Sequence, residues 1–173
     1  QKKPAIAISN GIDNQSVEFT KFKPYHKPKN FNIIFLASTA APWHGLERII
    51  DSLNNYSGDT KITLHIIGNF KQRFDCNAEI KYYGVLENDK LDEVMTKMHT
   101  AISTMALYYK KMNEASALKT REYIARGIPF IMAYNDTDLM AHPPEKKFFL
   151  QFPNDDSPID FNKVIDFVKE INE

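Results

Sequence analysis

The chain has 173 residues, enough to bury a core without disulfide or metal staples and the right size for one domain, 1–173. Its 22 basic residues cancel 22 acidic ones, so no global field draws it to nucleic acid or to an anionic membrane. The one cysteine, Cys76, excludes an internal disulfide and a cysteine-based metal cluster; it reads as a small side chain near a strand in a reducing compartment.

No uninterrupted apolar run approaches the roughly 20 residues of a membrane helix, and the N-terminus lacks a signal-peptide pattern. A cytoplasmic domain is expected. The chain opens on Gln1 rather than Met, which suggests a piece of a longer protein.

Residues 5–9 read as a short apolar strand, followed by a turn at "SNGID", 9–13, in which Gly11 is expected to supply unusual backbone angles. The stretch "KFKPYHKPKN", 21–30, reads as a solvated, proline-broken basic loop, with contact to an acidic partner or a membrane surface as its alternative. Residues 31–38 form a buried strand. The loop "TAAPWHG" leads into a helix at 46–53 with Leu46, Ile49, Ile50 and Leu53 inward. Strands follow at 62–67, ending at Gly68 where the chain can approach a ligand closely, and at 80–83, ending at Gly84. "NDKLDEVMTKM" gives a capped helix with Leu91, Val94, Met95 and Met98 on one face. A strand at 101–105 then runs through the loop "ALYYKKM".

The next stretch, "NEASALKTREYIARGIPFIMAYND" at 113–136, carries the chemistry. Ser116 is expected to cap a helix whose apolar stripe is Ala117, Leu118, Ile124 and Ala125. Gly127 stops that helix, and 128–133 is a buried strand. The small side chains Ala115, Ser116 and Ala117 leave the helix's first amides and positive dipole end open to an anion. Two carboxylates flank this start, Glu114 before the helix and Glu122 within it, with Lys119 one turn from Glu122. Glu122 also stands four residues before Arg126, the spacing of a surface ion pair, which would leave Lys119 merely solvated.

Beyond it, 148–152 reads as an edge strand, "PNDDSP" as a turn, and 159–171 as an amphipathic helix packing Phe161, Val164, Ile165, Phe167 and Val168. Strands alternating with helices imply an α/β, Rossmann-like and mostly parallel sheet with helices on both faces. Ligands of such sheets bind beyond the strands' carboxyl ends, where loops 38–45, 68–71, 84–88 and 106–118 would gather. The five histidines lack ligand spacing, so no metal site is expected. There is no G-x-G-x-x-G, P-loop or serine elbow.

Glu114, seven residues, Glu122, then "ARGIP" resembles the signature of the family 4 retaining glycosyltransferases, whose two-domain architecture is called GT-B. The turn "NG" plus Asp at 10–13 resembles the opening of that family's C-terminal domain. The resemblance implies the donor-binding half of a transferase that moves a sugar from a nucleotide diphosphate sugar to a hydroxyl acceptor with retention. Glu114 would face the sugar, the turn Ser116, Ala117 and Leu118 would hold the diphosphate, and Glu122 would bond the ribose. Lys119, in place of the family's small or apolar residue, becomes an extra phosphate contact. The loop that normally offers an arginine and a lysine before a glycine has His44 before Gly45 here, so His44 would be a weaker, pH-dependent cation, or Trp43 and His44 would simply anchor the loop. Gly68 lies at the same edge, and Val85 and Leu86 would seat the base. The family setting further implies a missing N-terminal acceptor domain, no bound metal, no cofactor beyond the donor itself, peripheral association with the inner face of the membrane through the full-length protein, and surface polysaccharide assembly. Two rival readings share the fold: a nucleotide-sugar epimerase, and a non-catalytic nucleotide-binding or interaction module.

Overall fold

The computed structural model describes residues 10–13, 29–145 and 147–171. The strand expected at 5–9 and the basic loop at 21–28 lie outside the described residues.

Among the described residues six strands form one sheet: β1 (Asn30–Leu36), β2 (Lys61–Ile67), β3 (Glu79–Gly84), β4 (Thr100–Ile102), β6 (Phe130–Met132) and β8 (Phe149–Gln151), in the order β3-β2-β1-β4-β6-β8. Every pairing is parallel. A second, two-stranded parallel pair joins β5 (Glu114–Ala115) to β7 (Asn135–Asp136). The helices are α1 (Leu46–Asn54), α2 (Asn88–Met95), α3 (Leu118–Ala125), the short α4 (Thr137–Ala141) and α5 (Phe161–Ile171), with 3-10 turns at Pro42–His44 and Leu107–Lys110.

Alternation along β1 divides the core. Phe31, Ile33 and Phe35 join the inward stripes of α1 and α5, while Ile34 packs with Met95 and Met98 around α2 and with Tyr123 of α3. Both faces are covered, which is why β1 and β2 read as nearly continuous apolar runs. The stripes expected for α1 and α5 are buried as expected. The polar residues of β2 keep partners: Thr63 Oγ1 donates to Glu79 Oε2 at 3.0 Å, and His65 meets Tyr83 OH at 2.8 Å and Asn32 Oδ1 at 3.2 Å.

Several local expectations need correction. The N-cap of α3 is Ala117, without a side-chain cap, because the Ser116 hydroxyl is engaged as an acceptor by Asn10 N at 3.1 Å and Arg121 Nη2 at 3.0 Å. Leu118 is 62% exposed, whereas Thr120, Arg121 and Tyr123 are buried, so the packed face of α3 is largely polar. The N-cap of α2 is Glu87, also without a side-chain cap bond. Gly11 is not among the glycines with positive φ; its turn is held instead by Asn10, whose Nδ2 donates to Ser116 O at 2.5 Å. Gly127, at φ 68°, does end α3 through a paired closure, its N–H donating to Ile124 O at 3.0 Å and that of Ile128 to Tyr123 O at 2.9 Å.

Two glycines after strands differ in what they permit. At Gly68, φ 138°, a Cβ would stand 1.7 Å from the backbone oxygen of Ala37, so the chain there approaches β1's exit loop too closely for any side chain. At Gly84, φ 70°, a Cβ would meet nothing within 4 Å. Gly68→Ala should therefore cost about 3 kcal/mol or more, and Gly84→Ala only about 1 kcal/mol for the left-handed backbone. Urea unfolding of the two variants checks this, and equal losses would contradict it.

Candidate functional site

The strand order reverses direction between β1 and β4, and parallel sheets open a crevice at such a point beyond their carboxyl ends. A single side chain spans it from below. Tyr123 OH donates to Ile102 O at the end of β4, 3.0 Å, and accepts from Leu36 N at the end of β1, 3.2 Å. Burial pushes this phenol far above its usual pKa, so it stays a neutral tie between the two strands.

Above the tie lies a cavity of about 660 Å³ with mostly apolar walls. Of the residues named from sequence, Ser116, Ala117, Leu118, Lys119, Glu122, His44, Gly68, Val85 and Leu86 all line it. Gly45 does not; at φ 80° it caps α1, and a Cβ there would press within 2.8 Å of Met105 Cβ, so its role is to let the β1 loop pass the β4 loop. Glu114 does not line it either: it is exposed on β5, paired in register with Asn135.

Two buried arginines orient α3. Arg121 reaches Asp136 Oδ1 at 2.7 Å, Asp138 Oδ2, Ser116 Oγ and, through Nε, Asn10 O at 3.2 Å. Arg126 bonds Asp92 Oδ1 on α2 at 2.9 and 2.7 Å and Glu122 Oε2 on its own helix. Underneath, Thr120 Oγ1, Ser103 Oγ and Tyr134 OH close a buried triangle of 2.6, 2.8 and 3.1 Å. Asp136 Oδ2 is buried without a partner among the described residues. Glu122 thus makes the helical ion pair and lines the cavity at once, its other oxygen having no partner among the described residues.

Lys119 is half-buried in the cavity wall and has no carboxylate partner among the described residues. Its Nζ lies 4.6 Å from the Phe35 ring centroid and 3.5 Å from His44 Nδ1. Burial of the ammonium brings its pKa from 10.5 down to about 7. The side chain keeps partial access to the cavity. His44, expected as a pH-dependent cation, is lowered to about 4 by burial first and then by Lys119 and Lys110. It is neutral near pH 7, anchored beside Trp43 with its carbonyl accepting from Met105 N at 3.2 Å.

Some lining residues had no sequence argument behind them. Lys110 sits with Nζ 4.0 Å over the Trp43 ring and, with Leu107 and Met112, brings the 3-10 turn and its exit into the wall. Asn154 fixes that segment, accepting from Tyr108 N at 3.0 Å and donating to Met112 O at 2.9 Å. Only the clustering of loop 106–118 at the strand ends hinted at them. Arg48, on α1, points away from the cavity: its guanidinium binds Met105 O at 2.5 Å, Pro153 O at 3.0 Å and Ser157 O at 2.8 Å.

Comparison of the sequence with protein-family models gives no match, and no curated protein matches it. Among solved structures the fold is similar to a chain of the "GtfA/B complex", with a TM-score of 0.53 and 15% identity over 90% of this chain and 31% of that one. At that identity the likeness is one of fold, and it agrees with the Rossmann-like half expected from sequence. This chain spans less than a third of the length of the one it matches.

The depressed Lys119 pKa makes stability depend on pH in a defined direction. Below about pH 7 folded and unfolded chains both carry the proton, and the fold bears the full cost of the buried charge. Between about 7 and 10.5 the folded chain has released it while the unfolded chain has not, so stability attributable to Lys119 rises with pH. The difference in unfolding free energy between wild type and Lys119→Met should shift in favour of wild type from pH 6.5 to 9.5; a flat difference would refute the buried-amine geometry.

Proposed function

We propose that this chain is the donor-binding half of a glycosyltransferase that moves a sugar from a nucleoside diphosphate to a hydroxyl acceptor, with retention at the anomeric carbon. The observation that carries the reading is the position of α3. Its start has no side-chain cap and opens into the cavity at the sheet's reversal point, with Lys119 and Glu122 in the same wall. An anion there is attracted by free amides and by the helix dipole. In this reading the diphosphate rests on the turn Ser116, Ala117 and Leu118, Lys119 adds charge, Glu122 takes the ribose hydroxyls, and Val85 and Leu86 seat the base. The likeness in fold to the GtfA/B glycosyltransferase complex supports the general class.

Catalysis would be chiefly electrostatic, through stabilisation of the departing diphosphate and orientation of the sugar. Glu114 lies on β5 next to Ala115 of the cavity wall, and we assign it the sugar face. Fixed cations would take the part a metal plays elsewhere, and the acceptor would lie on a domain outside this chain.

Calorimetric titration of the chain with UDP, GDP and ADP, with and without magnesium, tests the site. One nucleotide should bind between micromolar and millimolar, about −8 to −4 kcal/mol, independently of magnesium and more weakly to Glu122→Ala. Binding unaffected by that substitution would remove Glu122 from the site. In the full-length protein, Glu114→Ala should lower transfer by orders of magnitude while leaving nucleotide affinity intact. Unchanged transfer would favour a non-catalytic module, and conversion of the donor sugar without acceptor would favour an epimerase.

A further inference from the structure

The cavity holds two cationic side chains and no carboxylate bonded to either among the described residues. Lys119 enters from α3 over the face of Phe35, Lys110 enters from the 3-10 turn over the face of Trp43, and His44 lies between them in contact with Lys119. Aromatic faces hold a cation without neutralising it, so each ammonium stays available to an anion. The remaining titratable lining group is Glu122, whose Oε2 is bonded to Arg126. From the turn after β3 the cavity meets Val85 and Leu86, and from the exits of β1 and β2 it meets Ala37, Ser38 and Gly68, none of which titrates near neutral pH.

We propose that this cavity takes up its anion together with a proton: a phosphate-bearing ligand entering between Lys110 and Lys119 drives protonation of the Lys119 amine, so that affinity falls as pH rises through the weakly alkaline range. The ligand's identity rests on the donor-site reading above; the proton linkage does not. The physics is a single equilibrium. An empty apolar cavity disfavours the ammonium, which is why burial brings Lys119 to about 7, and a phosphate within contact distance restores it. The proton comes from solvent onto Nζ, and no bond of the ligand changes. His44 is neutral throughout, so its ring nitrogen competes with the ligand only as a weak acceptor for Lys119. Lys110, at the mouth of the cavity, supplies the second charge that favours a diphosphate over a monophosphate.

The test is calorimetry at pH 8 in two buffers of different ionisation enthalpy, with inorganic pyrophosphate, UDP, GDP and ADP as probes. The terminal phosphate of a nucleoside diphosphate, with its second pKa of about 6, is already ionised there, so a proton taken up with UDP, GDP or ADP belongs to the protein; pyrophosphate still carries its last proton at that pH and is read for affinity alone. Wild type should take up a substantial fraction of one proton, and its affinity should fall by as much as about tenfold per pH unit above pH 7.5. Lys119→Arg, permanently charged, should bind with no uptake, and Lys110→Ala should keep the uptake while losing the preference for di- over monophosphate. Nucleotide binding with no proton uptake would overturn this inference and leave the donor-site reading standing. Pyrophosphate binding that weakens with rising pH in wild type relative to Lys119→Arg, without nucleotide binding, would keep the inference and sink the donor site. Binding of neither sinks both.

Discussion

Everything at the carboxyl edge of the sheet depends on how α3 is fastened. It is a short helix of eight residues with an exposed leucine at its start, and its own hydrophobic contribution is small. What holds it is charge: Arg121 clasps the acidic pair Asp136 and Asp138 on one side, and Arg126 clasps Asp92 and Glu122 on the other. Buried guanidinium–carboxylate pairs are weak evidence of net stability, yet breaking one by removing a single partner typically costs about 3–5 kcal/mol. The two clasps therefore fix position more than they add stability, and the helix start they position is the element on which the functional reading rests. Asp136 is the most constrained member, because it also accepts from Asp138 N and Leu139 N to begin α4.

The cavity combines two environments that usually exclude one another. Its walls are apolar enough to depress a lysine and a histidine, yet the open helix start and two ammonium groups converge on it. In an apolar setting each polar contact is electrostatically stronger than it would be in water, and each unmatched one is more costly. Such a site is suited to ligands with a compact anionic part and a flat, poorly hydrated part. The exposed Val85, Met112 and Leu118 at its lip supply contact for the second kind of group.

The α/β order was legible because the sheet is buried on both sides, so β1, β2, α1 and α5 wrote plain apolar runs and stripes. The same logic failed for α3. Its packed positions are Thr120, Arg121 and Tyr123, residues that bury only because distant chain segments satisfy them, and periodicity in one sequence cannot see those partners. Ser116 looked like a cap for the same reason: short-range propensity favoured it, and a bond to Asn10, 106 positions away, claimed its hydroxyl. The glutamate spacing pointed to the helix that opens into the cavity but not to the difference between Glu122, in the wall, and Glu114, outside it. Lys110 carried no local signal, since a lysine in a polar loop is ordinary until a tryptophan ring is found beneath it.

The bond between Asn10 and Ser116 separates architecture from competence. Among the described residues no strand of the six-stranded sheet includes residue 10, so a chain beginning at β1 would retain all six of those strands and the core residues packed on them. It would nevertheless lack two of the groups that hold Ser116 and one that holds Arg121, and the start of α3 would be free to fray. Spectroscopic foldedness would then be no guide to whether the cavity is properly shaped.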